Sequence, residues 1–257
     1  RHLQRPNLAL LCMRRTRQGL RGAFFVVNTL CDRVLLSSVD NAHVFLLYLH
    51  DETGARRPNF SPAFLKAMAD KLRLKQQGEF GLPEGMSPED IFHYAYAVFH
   101  SPTYRERYAE FLKIDFPRLP LTSDLELFRD LAELGRQLVA LHLLDAQAAP
   151  VLQNAISPFP IAPADAKHGS VVETVTYDDE TRRVFINKTQ YFEDVPPEVW
   201  NFHVGGYQVC EKWLKDRKGR ALTFDDIQQY QKIVVALAET LRLMTAIDEC
   251  IPGFPLP

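Results

Sequence analysis

Five cations crowd into the nine positions from Lys212 to Arg220: Lys212, Lys215, Arg217, Lys218 and Arg220, offset only partly by Glu211 and Asp216. Tyr207 and Trp213 stand in the same stretch, and Gly205 and Gly206 precede it. Paired glycines admit positive φ and close approach, so main-chain amides there can reach an anion. Cationic heads set at a corner can hold phosphates, a contact that carries no sequence information. A solvated, charge-rich turn is the plainer reading of the same residues. A second basic group, Arg14, Arg15, Arg17 and Arg21, lies in the segment RRTRQGLRG. It reads either as a solvated surface loop or as a loop facing DNA, whose arginines hold phosphates or read guanine O6 and N7.

The sequence carries no catalytic constellation. No GxGxxG or GxxxxGK[ST] nucleotide loop occurs. Val195-Pro196-Pro197-Glu198 has the wrong first and last residues for an Asn/Asp-Pro-Pro-aromatic adenine clamp. Asp165-Ala166-Lys167 imitates a nuclease D-x-K, but it sits in a proline-rich loop, whereas magnesium sites need converging rigid carboxylates. His93 and His100 lie seven apart on a helix and read as structural. Cys12, Cys31, Cys210 and Cys250 form no CxxC and read as buried free thiols of a cytoplasmic protein.

Many of the elements that must position these groups are legible. Leu8 to Met13, Phe24 to Leu30, Arg33 to Ser38 and Val44 to Leu49 read as strands; Val171 to Tyr177 and Arg183 to Asn187 read as a late hairpin about Asp178 to Thr181. Ser61-Pro62 opens a short helix, and Ser87-Pro88-Glu89-Asp90 is a strong helix start. Ser101-Pro102 restarts a helix at a corner, and Asp115 to Leu121 (DFPRLPL) must run extended. Ser123-x-x-Glu126 matches a capping box for a helix to about Leu144. Thr223 with Asp226 caps a last helix, whose predicted apolar face is Tyr230, Val234, Leu237, Leu241 and Met244. The tail from Pro252 is expected to fray. The expectation is an α/β (mixed α+β) fold: an antiparallel or mixed sheet from the N-terminal strands and the late hairpin, packed by capped helices. It is read as one module over 1–257, strand-rich over residues 1–60 and helix-rich over residues 61–257.

Bulk composition bounds the function. Hydrophobic content of 46% and charged content of 24% suit a globular domain, and no apolar run is long enough for a membrane span. The net charge of −2 makes the whole chain no electrostatic magnet for DNA, yet the first 33 residues hold seven arginines against Asp32 alone, a local balance of +6. No secretory leader is expected, and an opening on Arg1 fits a piece of a longer polypeptide.

Three blocks carry a family resemblance: Gly205 to Asp248, Pro88 to Leu121 (PEDIFHYAYAVFHSPTYRERYAEFLKIDFPRLPL) and Trp200 to Val209 (WNFHVGGYQV). The chain resembles the C-terminal specificity region of type ISP restriction-modification enzymes and related large adenine-specific DNA methyltransferases. That resemblance implies a module that binds duplex DNA and positions an adenine methyltransferase domain of the same polypeptide on its target. It places S-adenosylmethionine, ATP and magnesium in adjacent domains and none in this chain. It also makes phosphate contact the expected task of Lys212 to Arg220, with Lys215 and Arg217 as its predicted anchors. The alternative is a structural module that couples methyltransferase to motor and touches no DNA.

Overall fold

The computed structural model describes residues 2–13, 23–31, 42–156, 158–204 and 206–257. Those residues form a mixed α/β fold of small antiparallel sheets packed by helices. The N-terminal strands and the late hairpin lie in separate sheets. The basic loop Arg14 to Gly22 and the expected strand Arg33 to Ser38 fall outside the described residues. Two compact units emerge, Arg1–Leu143 with Leu243–Pro257, and Leu144–Arg242.

In the first unit, β1 (Ala9–Met13) lies between β2 (Phe24–Val27) and β3 (Ala42–Leu46), both antiparallel to it, with Leu11 opposite Phe25 and Val44. As the central strand it is buried almost throughout. The single strand expected over Val44 to Leu49 breaks at Leu47. Beyond it β4 (Tyr48–His50) turns away to pair with β5 (Arg56–Pro58). Asn7 causes the break: its side chain donates to the Tyr48 carbonyl at 2.8 Å and accepts from the Tyr48 N–H at 3.1 Å, taking the place of a ladder partner.

Helix α1 (Pro62–Leu72) is capped by Ser61 and followed by the minimal hairpin β6 (Gln76–Gln77) and β7 (Leu82–Pro83). Helix α2 (Pro88–His100) starts as the sequence predicts: the Asp90 N–H donates to Ser87 Oγ at 3.1 Å, and the Ser87 N–H donates to Asp90 Oδ2 at 2.8 Å. Helices α3 (Pro102–Arg107) and α4 (Ala109–Leu112) follow the Ser101 corner. The segment after them runs extended because two buried tyrosines hold it: Tyr104 Oη donates to the Arg118 carbonyl and Tyr94 Oη to that of Pro120, each at 2.8 Å.

Helix α5 (Leu125–His142) begins one residue later than expected, with Asp124 as its cap. The Glu126 and Leu127 N–H groups donate to Asp124 Oδ1 at 2.9 and 3.1 Å. Ser123 is committed elsewhere, its N–H donating to the Pro257 carbonyl at 2.7 Å. That bond also anchors the end of the chain. The tail does not fray: Ile251, Phe254 and Leu256 are buried, and Phe254 sets its ring against Tyr104.

The second unit holds a meander of β8 (Thr176–Asp178), β9 (Arg183–Phe185) and β10 (Tyr191–Phe192). The strand expected from Val171 is shortened, because the Glu173 and Thr174 N–H groups both turn to the Ile186 carbonyl, at 2.8 and 3.2 Å. Then come α6 (Pro197–Trp200), the tight hairpin β11 (His203–Val204) and β12 (Tyr207–Gln208), α7 (Val209–Lys215) and α8 (Phe224–Cys250). Residues of α8 up to Arg242 belong to this unit and those from Leu243 to the first. Its buried face is therefore not one stripe. Tyr230 and Val234 are fully buried, but further on Thr240, Leu243 and Ile247 are the buried positions, while Leu237, Leu241 and Met244 are half-buried. Cys12 and Cys210 are buried free thiols as expected; Cys31 is half-buried and Cys250 exposed.

The tightest joint of the first unit is the crossing of α2 and α5. Tyr94 stacks on Phe128 with ring centroids 4.8 Å apart, and Gly135 faces the main chain of α2. A methyl group at Gly135 would stand 1.9 Å from the His93 carbonyl oxygen. Alanine gains about 1 kcal/mol of helix propensity over glycine, but a clash with fixed backbone costs more. Gly135→Ala should therefore destabilise the protein by about 2 kcal/mol or more, read from urea denaturation.

Candidate nucleic-acid interface

The charge-rich segment folds as the end of α7 and the turn that leads to α8. Cys210 and Leu214 bury one face of α7, which leaves Lys212, Lys215 and Asp216 exposed. The helix ends at Lys215, and Gly219 at φ +85 makes the left-handed corner that other residues adopt only under strain. Gly206 sits in the β11–β12 turn, and Gly205 lies outside the described residues, as do Arg14, Arg15, Arg17 and Arg21.

The five cations divide into two kinds. Lys212 pairs with Asp216, and Lys215 with Glu211 at 2.9 Å, both one helical turn apart on the surface. Such exposed pairs contribute only about 0.5 kcal/mol, so either lysine can turn to another anion at little cost. Arg217 is engaged inside the fold. Its Nε donates to Asp226 Oδ1 at 3.2 Å, its Nη1 to the Trp213 carbonyl at 3.0 Å, and its guanidinium lies 3.4 Å from the Trp213 ring centroid. Arg220 shares the same carboxylate at 2.9 Å but remains half exposed. Among the described residues no carboxylate pairs with Lys218, which is exposed.

Tyr207 and Trp213, six residues apart in the chain, do different work. Tyr207 is 50% exposed on the hairpin, with Lys212 Nζ 5.7 Å from its ring centroid. Trp213 packs inward against Tyr230, centroids 5.4 Å apart.

Asp226 is the hub that the sequence disclosed only as a cap. It accepts the Thr223 N–H and hydroxyl, each at 3.0 Å, and two guanidinium groups face it, so the trio keeps a net positive charge. Burial alone would raise its carboxyl; the Thr223 N–H, Arg220, the Thr223 hydroxyl and Arg217 together overcome that and hold it at about 2. No local spacing rule links position 226 to 217 and 220, so its second task was not readable in advance. Asp165, the head of the nuclease-like triplet, is a turn residue: it accepts the Lys167 N–H at 3.1 Å and the Thr189 hydroxyl at 2.7 Å. Among the described residues no three metal-ligating side chains converge, and no helix is long and apolar enough to cross a membrane.

A family model described as the type ISP C-terminal specificity domain matches residues 1–246. The chain belongs to that family. No curated protein matches it. The solved structures similar to it in fold include three large chains. In the cryo-EM structure of a DrdV–DNA complex the TM-score is 0.70 and identity 22%, over 94% of this chain and 25% of that one. In a nuclease-deletion mutant of the type ISP restriction-modification enzyme LlaGI with a DNA substrate mimic, the values are 0.64 and 17%, over 98% and 22%. In the ATP-dependent type ISP enzyme LlaBIII bound to DNA they are 0.67 and 16%, over 98% and 16%. This specificity domain thus spans a quarter or less of the length of the chains it resembles.

The carboxyl of Asp226 sits below its unfolded value, so the folded protein binds fewer protons there; its contribution is full above about pH 4 and is lost as pH falls through about 2. Asp226→Asn should lower stability by about 2 kcal/mol at neutral pH, and the gap from the parent should close across that acid window. Denaturation at a series of pH values checks both the loss and its pH dependence.

Proposed function

We propose that this chain is a DNA target-recognition module: it binds duplex DNA and sets an adenine methyltransferase domain of the same polypeptide on its site, in the cytoplasm. The observation that carries the reading is membership of the type ISP specificity family over residues 1–246. The three similar structures, each holding DNA or a DNA mimic, support it, as does the exposed cationic turn of the second unit. Lys212, Lys215, Lys218 and Arg220 offer charge to phosphates. Gly205, Gly206 and Tyr207 precede them in the chain. Arg217 braces the turn from within. By residue type, Arg14, Arg15, Arg17 and Arg21 are assigned to base edges, since arginine is suited to guanine O6 and N7. S-adenosylmethionine, ATP and magnesium are assigned to other domains of a longer enzyme.

Phosphate contacts and base contacts differ in their signature. The chain should bind duplex DNA with an affinity that falls steeply with salt. Lys218→Ala should weaken binding to every sequence alike and reduce the salt slope by about one. Changes at Arg14 or Arg17 should instead alter which duplexes are enriched from a random-sequence pool. Absence of salt-sensitive affinity in the parent chain would replace this reading with a module that couples neighbouring domains.

A further inference from the structure

Three separate stretches of the second unit meet at the basic turn. Main-chain bonds stitch the turn to residues 170–172: the Gly219 N–H donates to the Val172 carbonyl at 2.8 Å, the Val172 N–H to that of Arg220 at 3.1 Å, and the Leu222 N–H to that of Ser170 at 2.9 Å. Val171 and Ala221 form an antiparallel bridge. A third stretch is tied on by Asn187, itself only 2% exposed, whose Nδ2 donates to the carbonyls of Gly169 and Val171, each at 3.1 Å. Thr189 Oγ1 then closes the group on Asp165 Oδ2 at 2.7 Å.

This stitching ties two stretches that carry further lysines to the turn. Lys188 follows Asn187 in the chain, and Lys167 stands between the bonded residues Asp165 and Gly169; both are exposed. The carboxylates nearest them in the chain are already engaged: Glu193, five residues after Lys188, faces Arg183 at 3.7 Å. Asp165 holds the N–H groups of Lys167 and His168 as well as Thr189, and Glu173 faces His168 at 3.3 Å. Asp226 is bound to Arg217 and Arg220. Among the described residues neither lysine has a carboxylate partner. Paired segments lie about 5 Å apart, so three abreast span about 10 Å.

We propose that Lys167 and Lys188 join Lys218 and Arg220 in one phosphate clamp, three stretches wide, that holds a single strand backbone of duplex DNA without regard to base sequence. The proposal rests on the reading of the chain as a DNA-recognition module and extends its contact surface to residues far from the basic turn in sequence. The clamp sets position on the duplex, because phosphate contacts fix orientation while base contacts choose the site.

The test measures binding of the 257-residue chain to fluorescent duplexes between about 50 and about 200 mM salt. The Lys167→Ala/Lys188→Ala double variant should lose roughly tenfold in affinity for all duplexes alike, and its salt slope should fall by about two. The Lys167→Arg/Lys188→Arg variant should keep the parent slope, and both should melt with the parent, since the side chains are exposed. Lys66→Ala, a lysine 66% exposed on the first unit, serves as the charge control and should leave the slope unchanged. A parental slope in the double alanine variant, or an equal loss in the control, would overturn the clamp while leaving target recognition standing. A parent chain without salt-sensitive affinity overturns both.

Discussion

One carboxylate sets the geometry of the second unit. Asp226 closes the first turn of α8, where the helix dipole favours negative charge, and receives two arginines from the turn before it. Its side chain is only 13% exposed, and a carboxylate so placed costs free energy unless its lone pairs are filled. Here four donors fill them. The arrangement fixes where α7 ends, which way Arg217 lies over Trp213, and hence how Trp213 meets Tyr230. The cations left outside this lock are available to a ligand because the lock holds without them.

The first unit is ordered by a different device. Its helices meet through aromatic rings, but the hydroxyls of those rings serve as well. Tyr94 and Tyr104 are both buried within helices and both reach carbonyls of the extended proline-rich segment. A segment that cannot form a helix or a ladder leaves polar groups wanting partners, and the tyrosines supply them at no loss of apolar packing. The corner after α2 is held likewise: Asp248 of α8 accepts from the Ser101 hydroxyl and from the Thr103 N–H and hydroxyl.

Legibility in the sequence followed the range of the interaction. The caps of α1, α2 and α8 and the hairpin about Asp178 were readable, because each depends on residues within four positions. The break at Leu47, the later start of α5 and the packed tail were not, since Asn7, Pro257 and Tyr104 act from far along the chain. The basic turn shows both sides of this. Its charge and its glycine were plain, but the division into a half-buried brace, Arg217, and exposed heads required Asp226 and Trp213 in place. Lys167 and Lys188 carry no local signal at all, and only the bonds from Asn187 and Val172 bring them near.

Those bonds have an evolutionary consequence. The turn is joined to residues 170–172 almost wholly through backbone amides and carbonyls, which every residue except proline provides alike. The scaffold is therefore indifferent to what the neighbouring exposed positions carry. Side chains at 167, 188 and 218 can be exchanged, one lineage after another, without disturbing the frame beneath them. Asn187, Gly219 and Asp226, which do build the frame, have no such latitude. A surface of this design can change its charge by point substitutions alone, with the fold that carries it left as it was.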